Sequence, residues 1–546
     1  MRRIGLISLF SLLISAPIIL PFFHTGYFPT HDGEWAVVRL ADMFRMLRDF
    51  QIPARYSGEL NFGYGYPLFN FAYPFPYYLG IAIHFLGFGF VNTIKIIFAG
   101  SVIFSAFFMF LASRNLWKNT WAGIISAIMY IYLPYRMVDL YVRGSIGESL
   151  SFALFPLLFY LSVKLIKKSS VLLISSIAFV TGALIMTHNI MAVLFMPIFI
   201  VFSLIQIILK KRRAIKPFVI SIVLSFGLSA FFWVPAIFEK SNILLSQIPI
   251  ADRSLYFATL KQFIFPKWGY GVPTDPAGFS YQLGLAHLAA FAFAILSLLF
   301  SLIKNKRYLK EHFMKITSIL TIITVFFVFL LFKPSDFLWR NIPFLSEINY
   351  PWITLGILGF LVSLLAGSLF KHTLGKYVAV SLVIISVFTV LPYAKPEYYF
   401  NKGDDYYLTN DATTTSSNEL MPLWVKKFTF QRPAKKVEIA EGAGTVSNTS
   451  YNSKKIIFDV LAKENTKIRI NTIYYPGWKA YIDNKEVQIF YENEYGAIDI
   501  LIPSGKHLVK ANFTETPLRL ISDIISVSSF FVLLLFIIKR NKYAIS

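Results

Sequence analysis

Two carboxylates and an imidazole lie within four residues, His31-Asp32-Gly33-Glu34, directly after the first apolar segment of the chain. A carboxylate at a boundary between lipid and water can have its pKa raised into the range that suits a general base. Asp32 and Glu34 are therefore candidate catalytic residues, Asp32 as a general base or as a ligand of a divalent cation, and His31 is a candidate substrate-binding residue. The structural alternative is that Asp32 caps a helix predicted to start near Trp35, with Glu34 in its first turn.

A second group of charges lies between two later apolar segments, at Pro134–Glu148. Charged residues in such a position are expected to be paired with each other or to be functional. Arg136 and Asp139 are spaced to form an i,i+3 pair, whereas Arg143 suits a phosphate, which a planar guanidinium binds through two donors. Structural pairing and ligand binding both remain open for this group. On the second interpretation, Arg136, Arg143 and Glu148 are substrate-binding residues.

Four further candidates are more isolated: Tyr64 and Tyr66 in the loop Asn61–Pro67, His188, and Glu347. Tyrosines suit a sugar, a lipid headgroup or a membrane interface, and the ordinary explanation for each one is an aromatic belt. A lone histidine between apolar segments is more often a hydrogen-bonded structural residue than a ligand. Glu347 is predicted at the outer mouth of a helix and is a further carboxylate candidate. All four are treated as substrate-binding candidates.

Several classes of chemistry are excluded by what the sequence lacks. The 546 residues contain no cysteine, which rules out disulfides, thiolate metal sites and cysteine nucleophiles. The sequence has no P-loop, no HExxH zinc motif and no GxSxG serine motif, so ATP-driven transport, zinc proteolysis and serine hydrolysis have no support. The net charge is +23, but most basic residues fall in short loops between apolar segments, which indicates membrane topology rather than nucleic-acid binding.

The elements that must position these residues are membrane-spanning helices. Hydrophobic residues make up 56% of the chain and charged residues 15%, and the apolar residues fall into runs of the length that crosses about 30 Å of hydrocarbon. We predict a mainly α, polytopic bundle of about twelve spanning helices. The first run, Ile4–Phe23, is predicted to be a retained helix rather than a cleaved signal peptide, because Pro21 and Phe22-Phe23 stand where a cleavage site needs small residues.

Basic loops set the predicted orientation. Arg2 and Arg3 place the N-terminus in the cytoplasm. Residues 77–90 are an ambiguous apolar run, and treating them as an interfacial helix puts every later basic cluster inside, ending with Lys539-Arg540. Both termini are then cytoplasmic, in a multi-pass protein of the plasma membrane, and the candidate residues fall on the outer face. The other predicted cytoplasmic clusters are Arg114–Lys118, Lys164–Lys168, Lys210–Arg213, Lys304–Lys310 and Lys371–Lys376.

The composition divides the chain into three regions. These are residues 1–394, a transmembrane domain with a first loop at 24–90; residues 395–516, here called the β-domain; and residues 517–546, the last transmembrane helix and a cytoplasmic tail. The β-domain turns polar and then alternates in the manner of strands, as in Lys455–Val460, Lys467–Asn471 and Ala497–Ile502. It is predicted to be a small extracytoplasmic antiparallel β-sandwich.

Taken in order, these segments resemble the bacterial membrane-protein family labelled 6-pyruvoyl-tetrahydropterin synthase-related, which is similar to the GT-C glycosyltransferases. No single motif is specific, but the ordered set covers nearly the whole chain. The label does not imply pterin chemistry, because the chain has no soluble pterin-synthase domain and no three-histidine zinc pattern. The segments that carry the resemblance are His31–Glu34, Gly63–Phe69, Pro74–Tyr78, Pro134–Arg136, Arg143–Glu148, His188-Asn189, Trp268–Gly271, Gln282–Gly284, Pro351-Trp352, Asn418–Trp424 and Tyr475–Trp478.

The GT-C resemblance implies a GT-C-like bundle in which a sugar leaves a polyprenyl-phosphate donor at the outer membrane face. In that scheme an acidic residue of the first loop is the base or the metal ligand, which carries onto Asp32 with Glu34 beside it. The sequence departs from the family pattern in having His31 before the aspartate and Arg39 after it. The resembling motif of the β-domain adds Glu419 as a substrate-binding candidate.

Two classes of function follow. The first is a GT-C-type glycosyltransferase that moves a sugar from a lipid-linked donor to an envelope glycan, lipid or protein acceptor, with the donor phosphate near Arg143 and a divalent cation as the only cofactor. The second is a non-catalytic lipid or polymer flippase, exporter or envelope-assembly scaffold, which predicts polar residues along a path through the bilayer. Convergence on one outward-facing cavity distinguishes the two. The groups concerned are Asp32, Glu34, Arg143, Glu148, His188 and Glu347.

Overall fold

The computed structural model describes residues 2–272, 278–304, 312–371 and 373–538. Lys306, Arg307, Lys310 and Lys539-Arg540, which the topology prediction uses, lie outside the described residues. The described helices are α1 (Arg2–Ile19), α2 (Gly33–Arg48), α3 (Leu68–Phe71), α4 (Phe75–His84), α5 (Phe90–Trp117), α6 (Thr120–Ile131), α7 (Pro134–Val138), α8 (Ile146–Lys167), α9 (Val171–Thr187), α10 (Asn189–Lys210), α11 (Ile215–Leu228), α12 (Ala230–Phe238), α13 (Leu260–Ile264), α14 (Leu285–Lys304), α15 (His312–Leu330), α16 (Asp336–Asn341), α17 (Thr354–Ser368), α18 (Thr373–Val390), α19 (Asp404–Leu408) and α20 (Pro517–Ile538).

Membrane-length helices dominate the described part of the chain. Eight segments there are long and apolar enough to cross a bilayer, namely α1 with the turn after it, α5, α8, α10, α15, α17 with the turn before it, α18 and α20. Helices α11 and α12 form a further candidate span, bent by 66° at the break between them. Three shorter apolar helices, α6, α9 and α14, complete the set. Together these elements confirm the mainly α polytopic bundle.

The ambiguous run at 77–90 is not among the segments long enough to cross a bilayer. Its helix, α4, has 10 residues, which at 1.5 Å per residue is about 15 Å long. A helix of that length covers only about half of the hydrocarbon core. The run therefore belongs to the first loop, and the next span begins with α5.

The long helices give the bundle two distinct ends. At one end, the Asp404 carboxylate, which precedes the strands of the β-domain, accepts the backbone N–H of Phe90 at 2.7 Å. At the other end, Lys118, Lys167 and Lys210 lie close enough to interact electrostatically. The basic loops after α5, α8 and α10 therefore gather at the end away from the β-domain.

The predicted antiparallel sandwich is confirmed. Its strands are β1 (Val437–Glu441), β2 (Gly444–Tyr451), β3 (Lys455–Ala462), β4 (Thr466–Ile473), β5 (Trp478–Ile482), β6 (Lys485–Val487), β7 (Ala497–Ile502) and β8 (Gly505–Phe513). They form a three-stranded sheet, β1-β4-β7, and a five-stranded sheet, β2-β3-β8-β5-β6. Alternate side chains of both sheets, such as Phe458 and Ile470, are fully buried in the core. The three runs named above correspond to β3, β4 and β7, whereas β2, a polar edge strand rich in Ser and Thr, was not predicted.

A buried carboxylate joins the β-domain to the bundle. Arg519, near the start of α20, donates to the Glu239 carboxylate from Nη2 at 2.7 Å and from Nε at 3.1 Å. The same carboxylate accepts hydrogen bonds from Asn70 of the first loop at 2.8 Å and from Tyr475 of the β-domain at 3.2 Å. Four parts of the chain thus meet at one residue, here called the Glu239 joint.

Candidate functional site

The backbone of the first loop holds Asp32 beside Arg143. His31 and Asp32 donate their N–H groups to the carbonyls of Val142 at 3.0 Å and Arg143 at 2.8 Å. The N-terminus of α2 is capped by Thr30, whose hydroxyl accepts the N–H of Gly33 at 2.9 Å, and not by the Asp32 side chain. The half-buried Asp32 carboxylate makes no hydrogen bond or ion pair within the described residues. Asp32 thus occupies the N-cap position and Glu34 the first turn, as the structural alternative expects, but the Asp32 side chain makes no capping hydrogen bond.

Gly144 permits this close approach. Its φ is +64°, and a Cβ there would lie 2.3 Å from the Thr30 hydroxyl and 2.9 Å from the Gly33 Cα. Gly144→Ala is expected to lower the free energy of unfolding by about 1–2 kcal/mol through backbone strain and by about 1–3 kcal/mol more through overlap. The matched control is Gly87→Ala, where φ is +97° but no atom lies within 4 Å, so only the first cost applies. Equal shifts of the thermal unfolding midpoint in the two variants would contradict the steric argument.

Arg143 presents part of its guanidinium to the same space as Asp32. One nitrogen, Nη1, pairs with the buried Glu148 carboxylate and lies 3.3 Å from the Tyr135 hydroxyl. Tyr135 in turn donates to Glu148 at 2.6 Å. The guanidinium lies 4.6 Å from the centre of the Trp352 ring. The other two nitrogens have no hydrogen-bond partner in the described part of the chain, and the side chain is 11% exposed, so they remain available to an anion.

Two tyrosines of the first loop lie near enough to Asp32 to feel its charge. Tyr73 interacts electrostatically with Asp32, Arg39 and Arg143, and Tyr77 with Asp32 and Arg39. Burial raises the pKa of both tyrosines, so both are neutral at pH 7. The site therefore combines one unpaired carboxylate, two cations and neutral hydroxyl groups.

Both histidine candidates lie at this site and both are neutral at pH 7. Burial and the charge of Arg143 lower the pKa of His31, whose Nε2 lies 3.4 Å from the Tyr270 carbonyl. Burial and Arg143 also lower the pKa of His188, to about 3. The Nδ1 of His188 accepts the N–H of Met191 at 3.2 Å and so caps α10. His188 is thus the hydrogen-bonded structural residue that a lone histidine most often is, although its ring also faces Tyr73 at 5.2 Å.

Glu34 faces away from Asp32. Its carboxylate accepts a hydrogen bond from Tyr407 at 3.2 Å and pairs with Lys402 at 3.4 Å, both in the segment that leads into the strands of the β-domain. The same segment reaches Tyr66, whose hydroxyl lies 2.9 Å from that of Thr414. Glu34 and Tyr66 therefore attach this segment to the first loop, and neither is placed to react beside Asp32.

Arg136 is wholly buried and cannot meet a substrate phosphate. It forms the predicted pair with Asp139 at 3.0 Å, donates to the Ser101 hydroxyl at 2.6 Å, and lies 4.6 Å from the centre of the Phe152 ring. A π-helical turn at Asp139–Arg143 follows, and such turns redirect the chain and recur at functional sites. The structural interpretation is correct for Arg136, whereas Arg143, the last residue of the turn, keeps two nitrogens without a partner among the described residues.

Three other candidates are placed elsewhere. Glu347 is 59% exposed and pairs with Lys240. Tyr64 packs on Tyr495 of the β-domain, with ring centres 5.8 Å apart. Glu419 accepts the N–H of Ser417 at 3.0 Å. Of the six residues expected to converge, Asp32, Glu148 and His188 lie near Arg143, whereas Glu34 and Glu347 are placed elsewhere. Among the remaining candidates, His31 also lies near Arg143, and Tyr64 and Glu419 do not join the group.

The residues around Asp32 do not fit a divalent cation. Within the described ranges, no three side chains of the His, Asp and Glu types come together in the way a metal site needs. Glu34 is engaged by Lys402, and Arg143 and Arg39 add two positive charges near the single free carboxylate. The expected cation therefore has no ligand set among these residues, and no reaction step is assigned to it.

Sequence reasoning assigned no role to three residues that shape the site: Tyr73, Tyr77 and Trp352. Tyr77 and Trp352 lie inside segments of the family resemblance, and Tyr73 directly precedes the segment that contains Tyr77. Aromatic residues are so common here, at 17% of the chain, that their types alone single none of them out. Only their contacts with Asp32 and Arg143 do so.

A profile of the 6-pyruvoyl-tetrahydropterin synthase related domain, described as a membrane protein, matches residues 69–396. The match covers more than half of the chain. The chain belongs to this family. The matched residues run from the first loop to the end of the transmembrane domain, so this family member shares with its relatives the bundle that carries Arg143, whereas Asp32 lies just before the matched region.

Two further similarities are more distant. An uncharacterized protein of Lactococcus lactis subsp. cremoris (strain MG1363) is 24% identical to this chain over 308 residues. The aligned region covers 54% of this chain and 49% of the Lactococcus protein. The chain thus spans about half the length of this relative. The archaeal oligosaccharyltransferase AglB from Archaeoglobus fulgidus, solved with an inhibitory peptide and a dolichol-phosphate, superposes with a TM-score of 0.37 and 14% identity over 77% of this chain and 61% of its own. An overlap this loose defines neither fold nor activity.

Proposed function

We propose that the protein is a membrane glycosyltransferase that moves a sugar from a polyprenyl-phosphate donor to an envelope acceptor, with Asp32 as its general base. The observation that carries this proposal is the unpartnered Asp32 carboxylate beside the free edge of Arg143. Buried or half-buried carboxylates are normally paired unless they are needed for chemistry. A sugar donor with a lipid carrier is favoured because the chain lacks nucleotide-binding motifs and because the site lies at the end of a membrane bundle.

The proposed reaction is a single displacement that inverts the anomeric carbon. Asp32 accepts the proton of an acceptor hydroxyl, whose oxygen bonds to the anomeric carbon while the bond from that carbon to the donor phosphate oxygen breaks. The electron pair leaves with the polyprenyl phosphate, and the free nitrogens of Arg143 bind its growing negative charge. Tyr73, which is only partly buried and lies near Asp32 and Arg143, is the hydroxyl proposed to hydrogen-bond the sugar.

The proposed orientation puts this site on the outer face of the plasma membrane with both termini inside. The charges of Lys118, Lys167 and Lys210 support it, because positively charged loops are retained in the cytoplasm. The C-terminal end of α1 lies at the β-domain end, where the Ile18 carbonyl accepts the Tyr141 hydroxyl. The N-terminus of α1 is then at the basic end.

A reconstitution assay tests the proposal against a flippase or exporter. The purified protein is placed in liposomes that contain polyprenyl-phosphate sugars labelled in the sugar, together with envelope lipids and glycans as acceptors. It is expected to move the label to an acceptor and to release an equal amount of unlabelled polyprenyl phosphate. If the intact labelled donor moves between the two leaflets and is not consumed, the protein is a transporter and not a glycosyltransferase. If no donor is consumed or moved, the remaining function is that of a scaffold.

A further inference from the structure

Between two edge strands of the β-domain lies a cleft that the proposed reaction does not use. Strands β1 and β2 are consecutive but belong to different sheets, and they diverge from a tight turn at Gly442, whose φ is +90°. The cleft between them has a volume of about 810 Å³, and Gly63 of the first loop lies on its wall. This volume falls within the range of about 300–1,000 Å³ that is usual for small-molecule sites.

Two lysines give the cleft its charge. Lys436 donates to the carbonyls of Gly63 at 2.6 Å and Asn471 at 3.0 Å. Burial lowers the pKa of Lys436 to about 7, so the third hydrogen, which only the charged side chain carries, is available to a ligand mainly below pH 7. Lys435 is exposed and has no side-chain partner within the described residues. Glu438, the acid on the wall, already accepts the Asn471 amide at 3.0 Å. Arg432 also lines the cleft, but its positive charge is balanced by ion pairs with Asp411 and Glu59.

The opposite wall offers an aromatic face and hydroxyl groups. The ring of Tyr451 is 48% exposed, and the Lys436 ammonium lies 5.4 Å from its centre. Thr445 and Thr449 lie on the same strand and also line the cleft. An exposed aromatic face beside hydroxyl groups suits a ring that has one apolar face and a polar rim, which describes a sugar.

We propose that this cleft is a binding site for an anionic saccharide, a sugar chain that carries carboxylate or phosphate groups. The sugar ring stacks on Tyr451, and its negative group binds Lys435 and the free hydrogen of Lys436. The cleft is linked to the Asp32 site through one segment: Asp411 pairs with Arg432, and Thr414 accepts from Nε of Arg39 at 3.0 Å. Binding at the cleft is nevertheless independent of sugar transfer and is measured without a donor.

Equilibrium titrations of the full-length protein in detergent test the proposal. The probes are tetragalacturonate, a glycerol phosphate oligomer and the neutral maltotetraose. At least one charged probe is expected to bind about tenfold more tightly than maltotetraose, and Lys435→Met and Tyr451→Ala are each expected to weaken that binding by about tenfold. Both residues are exposed, so these substitutions leave the fold intact. Which charged probe binds identifies the anion as carboxylate or phosphate.

The matched control is Lys485→Met, an exposed lysine on β6 at the far edge of the five-stranded sheet from β2. It is expected to leave binding unchanged. The proposal is overturned if neither charged probe binds the wild type, if maltotetraose binds as tightly, or if Lys485→Met weakens binding as much as Lys435→Met. Failure of the transfer proposal would leave these titrations unaffected, because they contain no donor.

Discussion

Asp32→Asn is expected to lower the rate of sugar transfer by about 10²- to 10⁴-fold, the usual contribution of a general base. Asparagine has nearly the same shape but cannot accept the acceptor proton. Because the Asp32 side chain has no partner among the described residues and Thr30 caps α2, the substitution breaks no observed bond. The thermal unfolding midpoint is therefore expected to stay within a few degrees of the wild type. The measurement is initial-rate donor consumption in proteoliposomes.

The same substitution at an exposed position controls for this result. Asp405→Asn changes a carboxylate on α19, on the same side of the bundle, whose side chain is exposed, and it is expected to leave the transfer rate unchanged. Full activity of Asp32→Asn would refute the assignment of the base. An equal loss in Asp405→Asn would attribute the effect to surface charge rather than to proton transfer.

Local patterns predicted the elements well, because each depends on neighbouring residues. Apolar runs of membrane length predicted the spans, and alternating runs such as Lys455–Val460 predicted strands of the sandwich. The ion pair of Arg136 with Asp139 could also be predicted from the sequence, because the two residues are three positions apart. Polar edge strands such as β2 were not predicted. Neither face of β2 is buried well enough to require alternating polar and apolar residues.

The candidate site was only partly predictable, because its geometry depends on contacts between distant segments. Asp32 and Glu34 look equivalent in the sequence, yet Glu34 is bound by Lys402 and Tyr407, more than 360 residues later in the chain. Arg136 and Arg143 look equivalent too, and the turn between them buries one and exposes an edge of the other. A residue type at a plausible spacing predicts a site only where its partners are also local.

Glu239→Ala is expected to lower the free energy of unfolding by about 3–5 kcal/mol, the cost of leaving a buried ion unpaired. The substitution removes the acceptor of the wholly buried Arg519 side chain. It also removes the carboxylate that accepts hydrogen bonds from Asn70 and Tyr475. Because these residues come from α20, the first loop and the β-domain, the joint is expected to loosen. The measurements are the thermal unfolding midpoint and the rate at which trypsin releases the β-domain.

A surface pair provides the comparison that assigns this loss to burial. Glu486→Ala removes one partner of the Lys479–Glu486 pair, in which both side chains are about half exposed, and such pairs contribute less than about 1 kcal/mol. Glu239→Ala is therefore expected to lower the free energy of unfolding far more than Glu486→Ala, although each replacement removes one carboxylate. A midpoint and a trypsin rate for Glu239→Ala that match those of Glu486→Ala would mean that the other contacts between the first loop and the β-domain hold the two together without the Glu239 joint. The β-domain would then be fixed by its apolar core, which is continuous with that of the first loop.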